Sequence, residues 1–334
     1  MLEFFGHTLR PTYNDLIYTP VNGVFFGEII YRLSSDVLDE RTRGFERVVR
    51  ELIGAAIDPS RALTRLFQGR VFKVVNFDRY VKEPLDFAAV AGVDIINNKT
   101  KFNSGTGKAM FKLIFNYGDP FEVKNRYVLD YFRVSFQFAT NSGRRWLSHV
   151  SEYGILYGKN YKHGEKEILG GVFQHYDFLD NPIYDLSTMS FGGGAISRMP
   201  IHKNSKFLLN MYAGIVPFGG DSRYFSIADS SFRDYNYGGG LESKLECGIV
   251  IAKWLKAQIR SDYYWIHTYV GAKGDYITGI VTSGLYFRFL KNIELGAEYV
   301  FYNNNKYEIG QKGLHYMNTE ERIYLAYHIN CCNN

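Results

Sequence analysis

The sequence lacks any apolar run long enough to cross a bilayer as a helix, because charged or polar side chains interrupt every such stretch. A spanning helix needs about 20 consecutive, mostly apolar residues. The 39 Lys and Arg residues are scattered along the chain, and no basic block marks a nucleic-acid-binding tail. We therefore expect neither a transmembrane helix nor a nucleic-acid partner.

Cysteine is scarce, with 3 residues in the chain. Cys331 and Cys332 are adjacent, which suits neither a local disulfide nor a metal site, and Cys247 fits as an apolar strand residue. The glycines at 192–194 precede no predicted helix, so they match no phosphate-binding loop and instead indicate a bend or a close approach of backbone. We expect no metal and no cofactor.

Aromatic residues, in contrast, make up 17% of the chain, with 27 Tyr and 26 Phe. Such side chains fill the pleated, half-buried surface of β-sheets. The mean hydropathy of −0.21 resembles that of a soluble protein. In a membrane barrel, however, lipid-facing and lumen-facing residues alternate, so their hydropathies cancel.

Residues 13–70 have a helical period. In the first stretch Asn14 or Asp15 is a candidate N-cap, and Pro20 with Gly23 predicts a break into two pieces. The second stretch runs from Arg43 to Ile57, and a stop-and-restart signal at 58–60 leads into a short third helix. One face of the second stretch is apolar and carries Phe45, Val48, Val49, Leu52 and Ile53.

From about Leu85 the period changes to two. Apolar and polar residues alternate over ten or more positions, a length that suits a tilted strand crossing a bilayer. The predicted strands are 86–97, 108–118, 126–138, 145–158, 166–180, 185–198, 205–217, 237–251, 254–267, 275–289, 292–303 and 320–330. Their even number suits a single-chain bacterial barrel.

The predicted connections alternate in length, being very short at 252–253 and 290–291 and long at 218–236 and 304–319. Short periplasmic turns and long external loops give this rhythm in membrane barrels. The competing interpretation is a soluble all-β sandwich, in which the apolar face would turn into a shared core. Counts of ten or fourteen strands stay open.

Two segments resemble an uncharacterised family of Gram-negative outer-membrane proteins, catalogued only as a domain of unknown function. The shared features are Asn14-Asp15-Leu16, Gly23, Gly27-Glu28, Tyr31-Arg32-Leu33-Ser34, His175-Tyr176-Asp177 and Gly192-Gly193-Gly194. The resemblance implies a bacterial outer-membrane location and a barrel fold, and it brings no established activity. Members of this family usually carry a signal peptide before the helical motif, so we expect that the sequence is a mature or truncated form.

We therefore predict an all-β protein with N-terminal helices: a transmembrane, antiparallel, up-and-down β-barrel of about 12 strands. Residues 1–80 form a helical plug in the lumen or a periplasmic cap, and residues 85–330 form the barrel. The outer face contacts membrane lipids, and a periplasmic protein partner stays open. The sequence does not determine the oligomeric state.

The candidate lumen and plug contacts are polar residues on the first helix and on the predicted inward strand faces. Glu28 and Arg32 lie one helical turn apart and are expected to pair. The full set is Asp15, Glu28, Arg32, Lys112, Arg133, Glu242, Lys244, Glu246, Arg260, Glu294, Glu298 and Arg322. Its mixed charge argues against strong ion selectivity.

Three functions follow, in order of preference: an occluded channel or transport protein for small solutes, a scaffold that docks a periplasmic partner, and an outer-membrane lipid hydrolase. An enzyme is the less favoured class. The hydrolase would use His175, Asp177, His149 and Ser151, which share inward faces of neighbouring strands but have no nucleophile-elbow motif. Asp221, Asp229 and Asp234 fit no calcium-loop spacing.

Overall fold

The computed structural model describes residues 18–77, 82–97, 99–140, 146–181, 183, 185–222, 235–271, 273–310 and 312–330. The chain divides into two compact units. Met1–Leu85 with Cys332–Asn334 form the first, called the helical unit, and Asp86–Cys331 form the second, called the barrel.

The helical unit contains three helices, α1 (Thr19–Val37), α2 (Gly44–Ile57) and α3 (Pro59–Phe67). The predicted break in the first helix is wrong, because α1 is continuous through Gly23. Pro20 lies in its first turn, where a backbone N–H would have no helical partner in any case. The candidate caps Asn14 and Asp15 lie outside the described residues.

The stop-and-restart signal between α2 and α3 is present in the structure. Asp58 ends α2, and its carboxylate accepts a hydrogen bond from the backbone N–H of Arg61 at 2.9 Å. Pro59 then occupies the first turn of α3. This side-chain cap satisfies a backbone donor that the new helix leaves free, so the chain turns without losing hydrogen bonds.

The helical unit buries ionic groups as well as apolar side chains such as Leu33 and Leu38. Arg65 forms ion pairs with Glu40 at 2.8 Å and with Glu51 at 2.6 Å, and both Arg65 and Glu40 are almost fully buried. Arg47 donates hydrogen bonds to the backbone carbonyls of Arg70, Val71 and Lys73 at 2.7–2.9 Å. One buried guanidinium thereby holds the segment that follows α3.

Part of the exterior of the helical unit is apolar. Phe45 and Phe67 are 83% and 86% exposed, and the other exposed apolar side chains of α2 and α3 are Val48, Leu52, Ile53, Leu63 and Leu66. The predicted apolar face of α2 therefore exists, but it points outward while Arg47 points inward.

None of the described helices combines the length and the apolar character needed to span a bilayer.

The barrel is a closed, antiparallel sheet of twelve strands in which every strand pairs with its neighbours in sequence. Pairing between the first and last strands, such as Val90 with Ala326, closes the ring. The predicted fold class is confirmed. The strands are β1 (Leu85–Ile96), β2 (Thr106–Tyr117), β3 (Phe132–Ala139), β4 (Leu147–His163), β5 (Lys166–Asp180), β6 (Asp185–His202), β7 (Ser205–Ser222), β8 (Tyr235–Ile251), β9 (Leu255–Val270), β10 (Gly274–Leu290), β11 (Ile293–Glu308) and β12 (Leu314–Asn330).

The two ends of the barrel differ. The terminal end, where β1 begins and β12 ends, has tight turns at 164–165, 203–204 and 291–292, while longer connections lie at the opposite, loop end. The connection predicted at 304–319 is wrong: it spans only 309–313, because the Asn-rich end of β11 continues to pair with β12. The strand predicted at 126–138 begins only at Phe132, and the long connection before it contains a two-residue strand, Asn125–Arg126, that pairs with β4.

Alternate side chains of each strand face outward and are apolar and exposed, as Ile259, Leu285 and Ile323 illustrate. Cys247 shares this outward face, since it pairs directly with Ile259. A belt of exposed apolar side chains around a closed barrel is the surface that hydrocarbon covers in membrane barrels. The outer face therefore contacts lipid.

Candidate functional site

The inward side chains of the barrel enclose a polar lumen. Contacts between strands that are not neighbours establish the direction: the Tyr264 hydroxyl on β9 donates to the Asp177 carboxylate on β5 at 3.1 Å. The strand residues predicted from the sequence occupy inward positions, namely Lys112, Arg133, Glu242, Lys244, Glu246, Arg260, Glu294, Glu298 and Arg322. Their contact with a plug stays a prediction.

One side of the lumen contains a buried network centred on Lys244. Its ammonium group bonds to Asp177, pairs with Glu242 at 2.9 Å and lies 3.1 Å from Nδ1 of His175. The His175 ring stacks on Tyr212, with the ring centroids 3.8 Å apart. Buried charges need such partners to compensate for the loss of water, so this network fixes the wall between β5 and β8.

A second network surrounds Arg322 on β12. The guanidinium pairs with Glu320 at 2.6 Å and with Glu298 at 3.3 Å. Glu298 also accepts hydrogen bonds from the hydroxyls of Tyr286 at 3.0 Å and Tyr324 at 2.7 Å. The acidic groups of this wall are therefore fully engaged by donors from β10, β11 and β12.

Between these networks lies a cavity of about 280 Å³. It is lined near the terminal end by Asp86, Glu294 and His328, and it reaches Ile280 and Tyr302 toward the loop end. A smaller pocket of about 80 Å³ shares Lys112, Arg133 and Arg260 with this cavity and extends it along the wall formed by β3 to β8. The lumen thus contains a polar chamber on the terminal side.

An apolar cluster bridges the lumen beyond this chamber. The chain at the β5–β6 turn supplies Leu179, Ile183 and Leu186, which pack against side chains from β9, β10 and β11. Those partners are Tyr264, Ile266, Tyr276, Ile280, Val300 and Tyr302. All members are at least nine-tenths buried, so the chamber ends at a dry constriction made by the barrel itself.

Sequence reasoning missed this constriction, although the signal is present. Along β11 the inward positions are polar at Glu294 and Glu298, apolar at Val300 and Tyr302, and polar again at Asn304 and Lys306. Two apolar residues within a polar inward series predict a constriction at that level of the lumen.

The hydrolase candidates do not form a catalytic arrangement. Ser151 and Asp177 lie opposite each other in the β4–β5 register, but Asp177 bonds to Lys244 and Tyr264 instead of a histidine. Within the described chain, neither His149 nor His175 accepts a hydrogen bond from a serine hydroxyl. These side chains also face the lumen, whereas a lipid ester lies outside the barrel.

The other predicted features are the ion pair on α1, four aspartates and the glycine run at 192–194. Glu28 and Arg32 pair at 2.8 Å on the surface of α1, as the spacing predicts. Asp15, Asp229, Asp234 and the side chain of Asp221 lie outside the described residues. At Gly192 a Cβ atom would come within 2.3 Å of the Gly214 backbone, which explains the glycine run as a close approach of β6 and β7.

Two carboxyl groups of the helical unit have shifted acidity. Burial raises the pKa of Asp36 to about 7, against the smaller opposing effect of Lys82 and Arg32. The Arg41 guanidinium donates to the Asp39 carboxylate at 2.8 Å and holds the pKa of that group well below its usual range. Asp36 therefore gains its charge near neutral pH, while Asp39 keeps its charge.

Comparison with known proteins gives one family and a set of solved structures. Residues 1–60 match the model of a family described as a domain of unknown function (DUF3943), which confirms the resemblance drawn from the sequence. No curated protein matches the chain.

Three of the similar structures are outer-membrane proteins. The outer membrane channel DcaP of Acinetobacter baumannii is 8% identical, with 73% of this chain and 96% of that chain covered and a TM-score of 0.31. The COG4313 outer membrane channel from Pseudomonas putida F1 is 8% identical over 76% and 100%, with a TM-score of 0.33. OmpT of Vibrio cholerae is 10% identical over 73% and 97%, with a TM-score of 0.26.

Proposed function

We propose that this chain, in which a DUF3943 segment precedes a twelve-stranded barrel, is a channel or transport protein for small solutes in the bacterial outer membrane. The observation that carries the proposal is the polar chamber of about 280 Å³ that ends at the apolar cluster. A barrel serving only as an anchor has no need of a charged chamber that its own side chains enclose at one end.

The closed state follows from the nature of the constriction. Water and ions are excluded from a passage lined by tightly packed apolar side chains, and such constrictions gate channels by dewetting. Leu179, Ile183 and Leu186 lie at or beside one short turn between β5 and β6.

Planar-bilayer conductance tests the proposal. The wild type is expected to conduct rarely, and the double variant Ile183→Ser/Leu186→Ser is expected to open more often, because polar side chains admit water to the constriction. The matched control is Ile201→Ser, an exposed residue near the β6–β7 turn at the terminal end. Absence of conductance in both the wild type and the double variant would refute the channel function.

The plug hypothesis for residues 1–80 is tested in the same apparatus. Deletion of residues 18–77 is expected to raise the open fraction if the helical unit blocks the lumen, and to leave it unchanged if the unit is a periplasmic cap. Comparison of Ile183→Ser/Leu186→Ser with the deletion therefore shows whether the barrel's own side chains or the helical unit close the lumen.

A second candidate function is a scaffold that docks a periplasmic protein partner. The observation that favours it is the outward apolar face of α2 and α3, on which Phe45 and Phe67 are more than four-fifths exposed. Large exposed apolar patches mark interaction sites. Copurification of one partner with the wild type, and its loss in Phe45→Ser/Phe67→Ser, would support this role; equal recovery with both proteins would remove it.

A further inference from the structure

We infer that the chamber contains a binding site for a compact oxyanion, namely a phosphate or carboxylate group of a small solute. The inference rests on the proposed function, because it names the class of solute that the lumen would accept. The site is centred on Lys112 of β2 and Arg133 of β3. It includes the part of the pocket of about 80 Å³ that β2, β3 and β4 line; the same pocket continues along the wall to Lys244 and Glu246 of β8.

The charged groups of the chamber are unequally paired. Arg260 pairs with Asp262 at 2.9 Å, Arg288 with Glu294 at 3.4 Å, and Arg322 with Glu320 at 2.6 Å. Lys112 and Arg133, in contrast, have no ion pair or hydrogen bond with any described residue. Lys256 on β9 also lines the chamber without an ion pair, but its ammonium group lies over the Tyr286 ring, 5.4 Å from the ring centroid. Lys112 and Arg133 are therefore the two chamber cations on β2 and β3 that have no direct partner.

The electrostatic surroundings of Lys112 strengthen this point. Arg133, Arg260 and Arg322 all repel its ammonium group, and Glu298 is the main group that attracts it. Glu298 is already bound to Arg322 and to two tyrosine hydroxyls. Lys112 and Arg322 thus share one carboxylate as counter-charge. An enclosed cation with only a shared counter-charge is costly, and a bound anion would reduce that cost.

Arg133 has one acidic neighbour, Glu246, which attracts it from beyond ion-pair distance, while Arg260 repels it. Glu246 accepts a hydrogen bond from the Asn210 amide at 3.3 Å. A single distant carboxylate does not compensate the two unpaired cations. The local charge around Lys112 and Arg133 is therefore positive, although the lumen as a whole carries both signs.

Neutral donors complete the site on two neighbouring strands. Arg133 lies opposite Tyr153 in the β3–β4 register, and Ser135 lies opposite Ser151. Both serine hydroxyls lack a hydrogen-bond partner within the described part of the chain, and both residues line the pocket. A guanidinium beside hydroxyl donors suits the forked acceptors of carboxylate and phosphate.

The size of the pocket limits the ligand. One water molecule takes up about 30 Å³ of liquid, so a pocket of about 80 Å³ admits a compact charged group. The adjoining chamber of about 280 Å³ leaves room for the rest of a small solute. The chemistry therefore fits a small metabolite with a phosphate or carboxylate end.

Equilibrium dialysis of the full chain in detergent, with radiolabelled inorganic phosphate, tests the inference. The wild type is expected to bind saturably with one site per chain. Arg133→Gln and Lys112→Gln are each expected to weaken binding at least about tenfold, since each removes a charge-assisted donor. The exposed turn residue Lys203 supplies the matched control, Lys203→Gln, which is expected to bind as the wild type does.

The variant Arg133→Lys distinguishes a lost ligand contact from a folding defect, because it keeps the positive charge and loses only the forked geometry of the guanidinium. It is expected to bind more tightly than Arg133→Gln. No saturable binding by the folded wild type, or equal affinities of the wild type, Arg133→Gln and Lys112→Gln, would overturn the inference. Dialysis does not depend on conductance, so the two proposals can fail separately. Phosphate binding by a barrel that does not conduct would refute the channel function alone. Conductance without phosphate binding would refute the oxyanion site alone.

Discussion

The helical unit and the barrel share two features: both bury ionic groups, and both expose large apolar side chains. They differ in how the interior charges are used. In the helical unit Arg47 and Arg65 are bound by backbone carbonyls and by buried carboxylates. In the barrel Lys112 and Arg133 stay unpaired beside a chamber. Charges that hold a fold together are saturated, whereas charges available to a solute are not.

The shared apolar exterior also has different meanings. Around the barrel, residues such as Leu285 and Ile323 face hydrocarbon, and the burial that stabilises a water-soluble protein is replaced by contact with lipid. On α2 and α3, residues such as Phe45 and Leu52 are equally exposed without belonging to a spanning strand. The helical unit therefore presents an exposed apolar surface, which the proposed periplasmic partner would cover.

The largest effect is expected for Arg322→Ala in the barrel. Removal of this guanidinium leaves Glu320 and Glu298 without their cation, and breaking a buried pair costs about 3–5 kcal/mol. We expect a lower unfolding midpoint in urea, followed by the heat-dependent gel mobility of the folded barrel. An unchanged midpoint would show that the network contributes nothing to the fold.

A smaller effect, confined to the helices, is expected for Arg47→Ala. The change removes buried charged hydrogen bonds to the carbonyls of residues 70, 71 and 73, for a loss of about 2–3 kcal/mol. Limited proteolysis within residues 44–77 is expected to speed up, while the urea midpoint of the barrel stays constant. The exposed residue Arg43 supplies the control, Arg43→Ala. Equal proteolysis rates of the two variants would contradict the claim that Arg47 holds residues 70–73 through its hydrogen bonds.

The pH dependence of the two carboxyl groups sharpens the contrast within the helical unit. Because the pKa of Asp36 is raised to about 7, the folded unit binds the extra proton, and stability is expected to fall as pH rises from about 4 to 7. Asp39 has a lowered pKa, so its contribution is lost only as pH falls below about 4.

Hydrogen exchange of residues 19–57 between pH 4 and 8, corrected for the intrinsic rates, measures this dependence. The opening free energy is expected to fall as pH rises from 4 to 7 in the wild type, to stay constant over that range in Asp36→Asn, and to fall as in the wild type in Asp39→Asn. A wild-type opening free energy that rises with pH would contradict the buried state of Asp36.

The smallest effect is expected for Glu28→Gln on α1. Glu28 is 42% exposed and its partner Arg32 is partly buried, and an i,i+4 pair with such access to solvent contributes about 0.3–0.5 kcal/mol. The same hydrogen-exchange measurement should barely separate this variant from the wild type. A loss as large as that of Arg47→Ala would indicate that Glu28 has a buried partner, as the plug hypothesis requires.

The barrel was predictable because its signal is local and repeated: each strand alternates with a period of two, and a register error would turn its apolar face inward. The nine inward ionic residues followed from the same rule. The constriction did not, because Ile183 and Tyr302 are far apart in sequence and meet only when the ring closes. The inverted helices were also missed, since an amphipathic pattern locates an apolar face without stating what covers it.

The most direct test of the central claim is the accessibility of spin labels at four consecutive positions of β9, in a cysteine-free background reconstituted in lipid. Labels at Lys256 and Gln258 line the chamber, and labels at Ala257 and Ile259 belong to the opposite face. The account predicts that collisions with a water-soluble nickel chelate dominate at 256 and 258, and that collisions with oxygen dissolved in the lipid dominate at 257 and 259. The reverse alternation, or no alternation, would contradict a barrel with a polar lumen and a lipid-facing apolar surface.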